Sequence, residues 1–422
     1  MKFKKKILPN GMRMLAVPMA DNPTVTVLVL VEAGSKYETK EKNGLSHFLE
    51  HMCFKGTTTR PNTSDLSIEL DTLGCEYNAF TGHEFTGYYA KGKAGDFEHL
   101  LDVITDLYLN PLLKEDEIKK EKGVIVDEIN MYDDLPMQKV HEVWSELLYG
   151  DQPAGWSIAG ERDVVRGMTR ADFLAYRKAH YVASATTVVV AGNIDQTRAF
   201  KEITKKFKGI TEHKKVGKKK TRDTQAEPQV AVRFKETDQT HFILGVRSFP
   251  VYDKRNPVIS VLSGVLGSGM SSRLFRKLRD EMGVGYYVRA GNSAFTDHGY
   301  LAVSAGVAND RIEEVVRAVM GEFEKLKTDL VSEDELAKVK EHLVGMMYLG
   351  LESSSEIAEF YGGQEVLRRD LRTPKEKERL VRAVTAEAVR KMARKLFVEK
   401  NLNLALIGPF KDGTKLKSLL KF

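Results

Sequence analysis

The chain repeats itself. Thr24-Val25-Thr26-Val27-Leu28-Val29-Leu30-Val31 has the alternation of a strand early in the first half, and His241-Phe242-Ile243-Leu244-Gly245-Val246 has it early in the second. Tyr88-Tyr89-Ala90 is echoed by Tyr300-Leu301-Ala302, and the acidic helix start Lys114-Glu115-Asp116-Glu117-Ile118 by Ser332-Glu333-Asp334-Glu335-Leu336. An apolar strand running into a turn, Val188-Val189-Val190-Ala191-Gly192-Asn193, returns as Leu404-Ala405-Leu406-Ile407-Gly408-Pro409. These pairs are offset by 212 to 218 residues, so the 422 residues read as a degenerate tandem duplication of one α+β unit. The expected division is a first domain over 1–210, a linker over 211–226 and a second, homologous domain over 227–422. Mixed strands and long helical pairs imply mixed or antiparallel sheets covered by helices on one face, in an order that the sequence does not fix.

Charge separates the linker from the domains. The formal net charge is +6, yet residues 1–6 hold four lysines and no acid. The 211–226 run holds five lysines and Arg222 against Glu212 and Asp223, so the remainder of the chain carries −2. A basic end and a solvated basic linker, without zinc-finger spacing or an RNA-binding aromatic signature, argue against a nucleic-acid partner. Ile7-Leu8-Pro9-Asn10-Gly11-Met12-Arg13-Met14-Leu15 reads as strand, turn, strand rather than a signal-peptide apolar region. No run approaches the ~18 apolar residues of a membrane span, so no membrane association is expected. Cys53 and Cys75 are too few for a disulfide framework and lack metal-type spacing, which points to a reducing, cytoplasmic home.

The chemistry concentrates in Gly44-Leu45-Ser46-His47-Phe48-Leu49-Glu50-His51-Met52-Cys53-Phe54-Lys55-Gly56. On a helix His47 and His51 lie one turn apart on one face, able to converge on one metal ion, with Glu50 beside them. Leu45, Phe48, Leu49 and Met52 form the apolar stripe that would bury such a helix. Two imidazoles, a carboxylate ligand and an open fourth position make a zinc-hydrolase arrangement, in which a free carboxylate takes a proton from water acidified by the metal. The third ligand must come from elsewhere, and the helical segment 115–131 offers Glu121 and Glu128. They stand seven residues, about 10.5 Å, apart on one helix face, and spacing does not choose between them. One would bind the ion; the other would hold a ligand or water in place.

With the segment Glu121-Lys-Gly-Val-Ile-Val-Asp-Glu128-Ile-Asn-Met, the Gly44–Gly56 motif resembles the inverted-motif zinc peptidases of the pitrilysin/insulinase family. Within it, the chain is most similar to the branch of the mitochondrial processing peptidase β subunit and its bacterial relatives. The resemblance implies that His47 and His51 ligate one zinc ion per chain and that Glu50 is the catalytic base. The family's third ligand lies 77 residues beyond the second histidine, which selects Glu128 and leaves Glu121 as the supporting carboxylate. Leu8-Pro9-Asn10-Gly11 matches the family's opening turn, and Asn78-Ala79-Phe80-Thr81 resembles the edge strand on which its substrates lie. Asn78 and Ala79 thereby become candidate substrate contacts, through addition of an extended peptide to a sheet edge.

The second half has no equivalent centre. Opposite His47, Glu50 and His51 stand Ser260, Ser263 and Gly264; opposite Glu121 and Glu128 stand Val339 and Met346. The glycines of Gly267-Ser-Gly269-Met-Ser-Ser-Arg273-Leu-Phe275 precede no Lys-Ser/Thr, so a turn entering a helix is expected rather than a phosphate loop. Arg279 and Tyr286, seven residues apart, read on spacing alone as a surface salt bridge and a core tyrosine. The resemblance instead makes them substrate-binding groups from the second half. Two halves serving one site would close on each other like a clamshell about residues 211–226. Because this chain holds both residue sets, the resemblance implies a homodimer rather than a heterodimer. The expected function is a zinc metalloendopeptidase acting on short or unfolded peptides; the alternative is a non-catalytic scaffold or peptide-binding subunit of the same fold. His83, His99, His141 and His180 are read as surface or core residues, Trp144 and Trp156 as packing residues, and Cys53 as a small buried one.

Overall fold

The computed structural model describes residues 2–422. They form two compact units, one comprising Met1–Asn130, Trp156–Lys219 and Leu349–Thr373, the other Met131–Gly155, Lys220–Tyr348 and Pro374–Phe422. The contiguous division at 210 and 227 therefore needs correction: each half keeps its strands but lends one helical segment to the other unit.

In the first unit the opening strands β1 (Lys4–Ile7) and β2 (Arg13–Pro18) pair across the Leu8–Gly11 turn, where Gly11 takes φ +85° and its N–H donates to Leu8 O at 2.8 Å. With β3 (Thr24–Val31), β4 (Glu76–Thr81), β5 (Thr86–Lys93) and β6 (Thr186–Gly192) they form one sheet in the order β1-β2-β6-β3-β5-β4. Only β2 and β6 run parallel. In the second unit, β7 (Gln229–Phe234), β8 (Gln239–Ser248), β9 (Gly285–Ala294), β10 (Gly299–Ala308) and β11 (Leu402–Gly408) take the order β7-β11-β8-β10-β9, with β7 and β11 parallel. Without β1, the two orders are the same, strand for strand. The duplication read from the sequence is thus a duplication of topology.

Helices cover both faces of each sheet, not one. On β3, Val25, Val27 and Val29 join the core with Phe97, Leu100 and Ile104 of the helix Phe97–Leu109. Leu28 and Leu30 point the other way, onto Gly362 of the helix Ser354–Leu367; a Cβ at Gly362 would stand 2.7 Å from Leu30 Cδ1, so glycine permits the approach. That helix is tied down by charge as well: Glu365 is fully buried, 2.7 Å from Lys5 Nζ and 3.4 Å from Arg13 Nε, and Arg13 pairs with Glu32 at 2.7 Å. In the second unit Phe242, Leu244, Leu404 and Leu406 face one core, with Ile259, Leu262 and Phe323. Ile243, Ala405 and Ile407 face the opposite way, onto Val140, Val143, Trp144 and Leu148 of the helix Pro136–Tyr149. Strands apolar on both faces need cover on both, and in each unit one covering helix comes from the other half of the sequence.

The basic linker has no regular secondary structure over 211–226 and is not simply a solvated run. Lys215 pairs with Glu32 at 2.5 Å and Lys218 with Glu84 at 3.0 Å in the first unit, while Thr221 N–H donates to Asp297 at 2.8 Å in the second. Among the described residues no helix is long and apolar enough to cross a membrane. Cys53 and Cys75 are both free thiols.

Candidate metal centre

The motif segment folds as the helix Leu45–Cys53, with Leu45, Phe48, Leu49, Met52 and Cys53 buried. Its N-cap, Gly44, takes φ +95°, and a Cβ there would meet Ala159 O at 2.5 Å; both facts demand glycine. The apolar stripe points into the core, with Phe48 edge-on to Phe173 at 4.8 Å, and leaves His47, Glu50 and His51 on the opposite, partly covered side. The facing helix Glu115–Asp133 opens with three acids in its first turn and buries Ile118, Ile125, Val126 and Ile129. This turns Glu121 and Glu128 towards the histidines.

The packing separates the roles of the two glutamates. Glu128 Oε2 lies 3.6 Å from His47 Nε2 and 3.6 Å from His51 Nε2. Ligand atoms of all three residues lie within 4.8 Å of one another, and among the described residues no other such group of His, Cys, Asp or Glu occurs. Three donors ~2.1 Å from one zinc ion in tetrahedral directions would stand roughly 3.4 Å apart, so the set fits zinc with little adjustment. Glu121, only 4 % exposed, is on the far side of the His51 ring: its Oε1 lies 2.9 Å from Nδ1, and its Oε2 lies 2.7 Å from Lys55 Nζ. A carboxylate only accepts, so Nδ1 carries the proton of the neutral His51 ring, whose Nε2 then keeps its lone pair towards Glu128.

Electrostatics agree with this arrangement. Burial, with the His51 charge nearby, pushes His47 down to about 4, leaving the neutral imidazole that binds metals. Burial also pushes His51 down, but the Glu121 hydrogen bond and the charges of Glu128 and Glu50 outweigh it and raise the ring above its ordinary value. Burial would lift Glu121; its bonds to His51 and Lys55 hold it below the usual range instead. Glu50 is raised by burial, against the hydrogen bond from Thr81 and the pull of His51.

Thr81 Oγ1 donates to Glu50 Oε2 from the last residue of β4, an edge strand of its sheet. Asn78 and Ala79 lie on that strand, paired through their register with Tyr89 and Tyr88 of β5. The Ala79 N–H donates to Asn78 Oδ1 at 2.9 Å.

In the second unit the helix Asn256–Gly267 occupies the place of the histidine helix. A Cβ on Gly264, opposite His51 in the repeat, would stand 2.8 Å from Val339 Cγ1, opposite Glu121. The contact that holds a histidine ring in one unit is closed by apolar packing in the other. The Gly267–Phe275 glycines enter a short helix, and the turn continues as a π-helix over Arg276–Glu281. Arg279 Nη1 donates to Tyr286 O at 3.0 Å and its guanidinium lies 5.6 Å from the Phe275 ring centroid. The core reading of Tyr286 does not hold, since the residue is 62 % exposed.

Sequence reasoning passed over Lys55 and Thr81 as site residues, although both lie inside the quoted motif segments. A lysine two residues past a helix end and a threonine closing a strand carry no signal until packing supplies their partners.

Residues 13–162 match the family model described as Insulinase (Peptidase family M16), and residues 167–343 the one described as Peptidase M16 inactive domain. The chain is 34 % identical over 411 residues to the uncharacterized zinc protease YmxG of Bacillus subtilis, spanning 96 % of this chain and 98 % of that protein. It is 30 % identical to an uncharacterized zinc protease of Streptomyces coelicolor, spanning 97 % and 90 % of the two. In fold it is similar to the crystal structure of a protease from Helicobacter pylori, with TM-score 0.89, 23 % identity and 97 % and 99 % of the chains covered. Matching models over most of its length, and relatives that run alongside nearly all of it, place this chain in the insulinase family of peptidases, M16.

Proposed function

We propose that the chain is a zinc metalloendopeptidase that hydrolyses short or unfolded peptides, with one zinc ion per chain held by His47, His51 and Glu128. The observation that carries this is the convergence of those three ligand atoms beside Glu50, a half-buried carboxylate that is not one of the ligands. Bound there, zinc would supply Lewis acidity, polarising a peptide carbonyl and lowering the pKa of water to about 7.

The chain's own residues supply the remainder. Thr81 engages one oxygen of Glu50, leaving the other to take the proton of the attacking water and return it to the leaving amine. Glu121, itself fixed by Lys55, keeps the His51 ring aimed. The open edge of β4 would receive the substrate as an added strand, with Asn78 and Ala79 as contacts; main-chain pairing demands an extended peptide and tolerates many sequences. Arg279 and Tyr286 would bind substrate carbonyls or steady the negative charge that develops on the attacked oxygen. We further propose that two chains form a homodimer that encloses the substrate; light scattering that finds only monomer at full peptidase activity rejects this part.

Glu50→Gln tests the central claim. It should retain about one zinc per chain while cleavage of an unstructured peptide falls by roughly 10²- to 10⁴-fold. Wild-type turnover in the variant would remove Glu50 as the base. A wild-type protein without zinc and without chelator-sensitive cleavage would instead favour a non-catalytic scaffold.

A further inference from the structure

The two histidines of the candidate centre are held in different ways. His51 has its Nδ1 fixed by Glu121. His47 Nδ1 is buried and has no hydrogen-bond partner among the described residues, so no side chain orients its ring from behind. Its aim depends on its rotamer and on the backbone of the first helical turn, in which it is the third residue.

That turn is secured from outside the motif. Gly44 gives the helix no side-chain cap, and the first turn of any helix leaves backbone N–H groups without intrahelical partners. Glu38, six residues upstream and 5 % exposed, reaches over to fill the gap. Its Oε2 accepts from Gly44 N–H at 2.8 Å and from Asn43 Nδ2 at 3.0 Å, and its Oε1 accepts from Ser46 N–H at 2.6 Å. In the same turn, Ser46 Oγ and Tyr176 OH are hydrogen-bonded at 2.7 Å.

We propose that Glu38 is a positioning residue of the metal centre, whose carboxylate fixes the first turn of the helix Leu45–Cys53 and thereby the direction of His47. The proposal rests on the zinc reading above. Charge makes it more than a helix cap. Glu38 pairs with no cation among the described residues, so the positive end of the helix and the Asn43 amide are what balance it. A dication ligated from the first turn would lie beside that same positive end, and an anion there offsets the repulsion. Burial pushes the Glu38 carboxyl up to about 7, against the pull of its Ser46, Gly44 and Asn43 donors. A carboxyl raised on folding costs the fold stability as pH climbs from its ordinary value towards 7, so the ionised group is not kept for stability alone.

The test compares zinc affinity with fold stability in Glu38→Gln. The zinc dissociation constant is measured at pH 8 by competition with a chromophoric chelator, and the melting temperature is measured on the zinc-free protein. We expect zinc affinity to fall about 10-fold or more, as for other residues that orient ligands, while the zinc-free melting temperature drops by no more than about 4 °C. Affinity within twofold of wild type overturns the proposal. So does a loss of affinity that only accompanies unfolding of the zinc-free protein. Should Glu38→Gln fail to fold, Glu38→Asp, which keeps the charge but reaches less far, decides by the same two readings. Wild-type protein that binds no zinc under these conditions overturns the zinc reading itself, and is told apart from a failure confined to Glu38 by that control.

Discussion

Replacing Glu121 by glutamine separates the two glutamates that the sequence offered as third ligand. In the structure Glu121 does not reach the ligand cluster; it accepts from His51 Nδ1 at 2.9 Å and pairs with Lys55 at 2.7 Å. Glutamine has the same size and can still accept from the ring, so the change exchanges a charge-assisted bond for a neutral one. Such bonds contribute about 1.5–3 and 0.5–1.5 kcal/mol respectively, a difference of about 1–1.5 kcal/mol. Lys55, a quarter exposed, can turn to water and adds little to the cost. The expected effect is therefore a loss of zinc affinity near tenfold, at the lower end for residues that hold a metal-ligating histidine. Glu128→Gln removes a ligand outright and should abolish tight binding. The assay is competition for zinc against a chelator of known affinity, with circular dichroism to verify that both variants remain folded. If Glu121→Gln loses zinc as completely as Glu128→Gln, the assignment of Glu121 to the back of the His51 ring is wrong. If it binds zinc as wild type does, the orienting bond has no energetic role.

Two further predictions concern the fold. Trp144 is fully buried on the second-unit sheet, 5.7 Å from the Tyr300 ring, and its Nε1 has no partner to orphan; Trp144→Ala should cost about 3–5 kcal/mol, measured by denaturant unfolding, and a loss below about 1 kcal/mol would show that the exchanged helix does not anchor there. Arg60 lies among Glu69, Asp102 and Asp106. Glu69 is held below its usual range by Arg60 itself; Asp102 and Asp106, which burial pushes up, are held below theirs by Lys206, Thr57 and Arg60 among others. Carboxyls depressed on folding stabilise the protein above their unfolded values, near pH 4, and that stability is lost as pH falls through the folded values. Arg60→Met should thus lower the melting temperature at pH 7 and flatten its decline between pH 5 and pH 3; parallel curves for the two proteins would contradict the assignment.

The duplication, the strand equivalents across the repeat and the helix that presents His47, Glu50 and His51 are legible in the residues alone. Each of these is written in periodicity: two residues per strand alternation, four per helical turn, about 215 per repeat. Folding adds what periodicity cannot express. Which sheet an apolar helix covers is not encoded in the helix alone, so the exchange of Pro136–Tyr149 and Ser354–Leu367 between the halves was invisible, as was cover on both faces. Spacing left Glu121 and Glu128 equivalent; the rotation of the helix Glu115–Asp133 against the histidine helix placed one at the Nε2 atoms and the other at Nδ1. Spacing alone made Tyr286 a core tyrosine, since aromatic residues are so often core, whereas its ring is exposed. Glu38 could not be found at all, because a carboxylate acquires its meaning only when the chain folds back and sets it against two backbone N–H groups of the helix that bears the histidines.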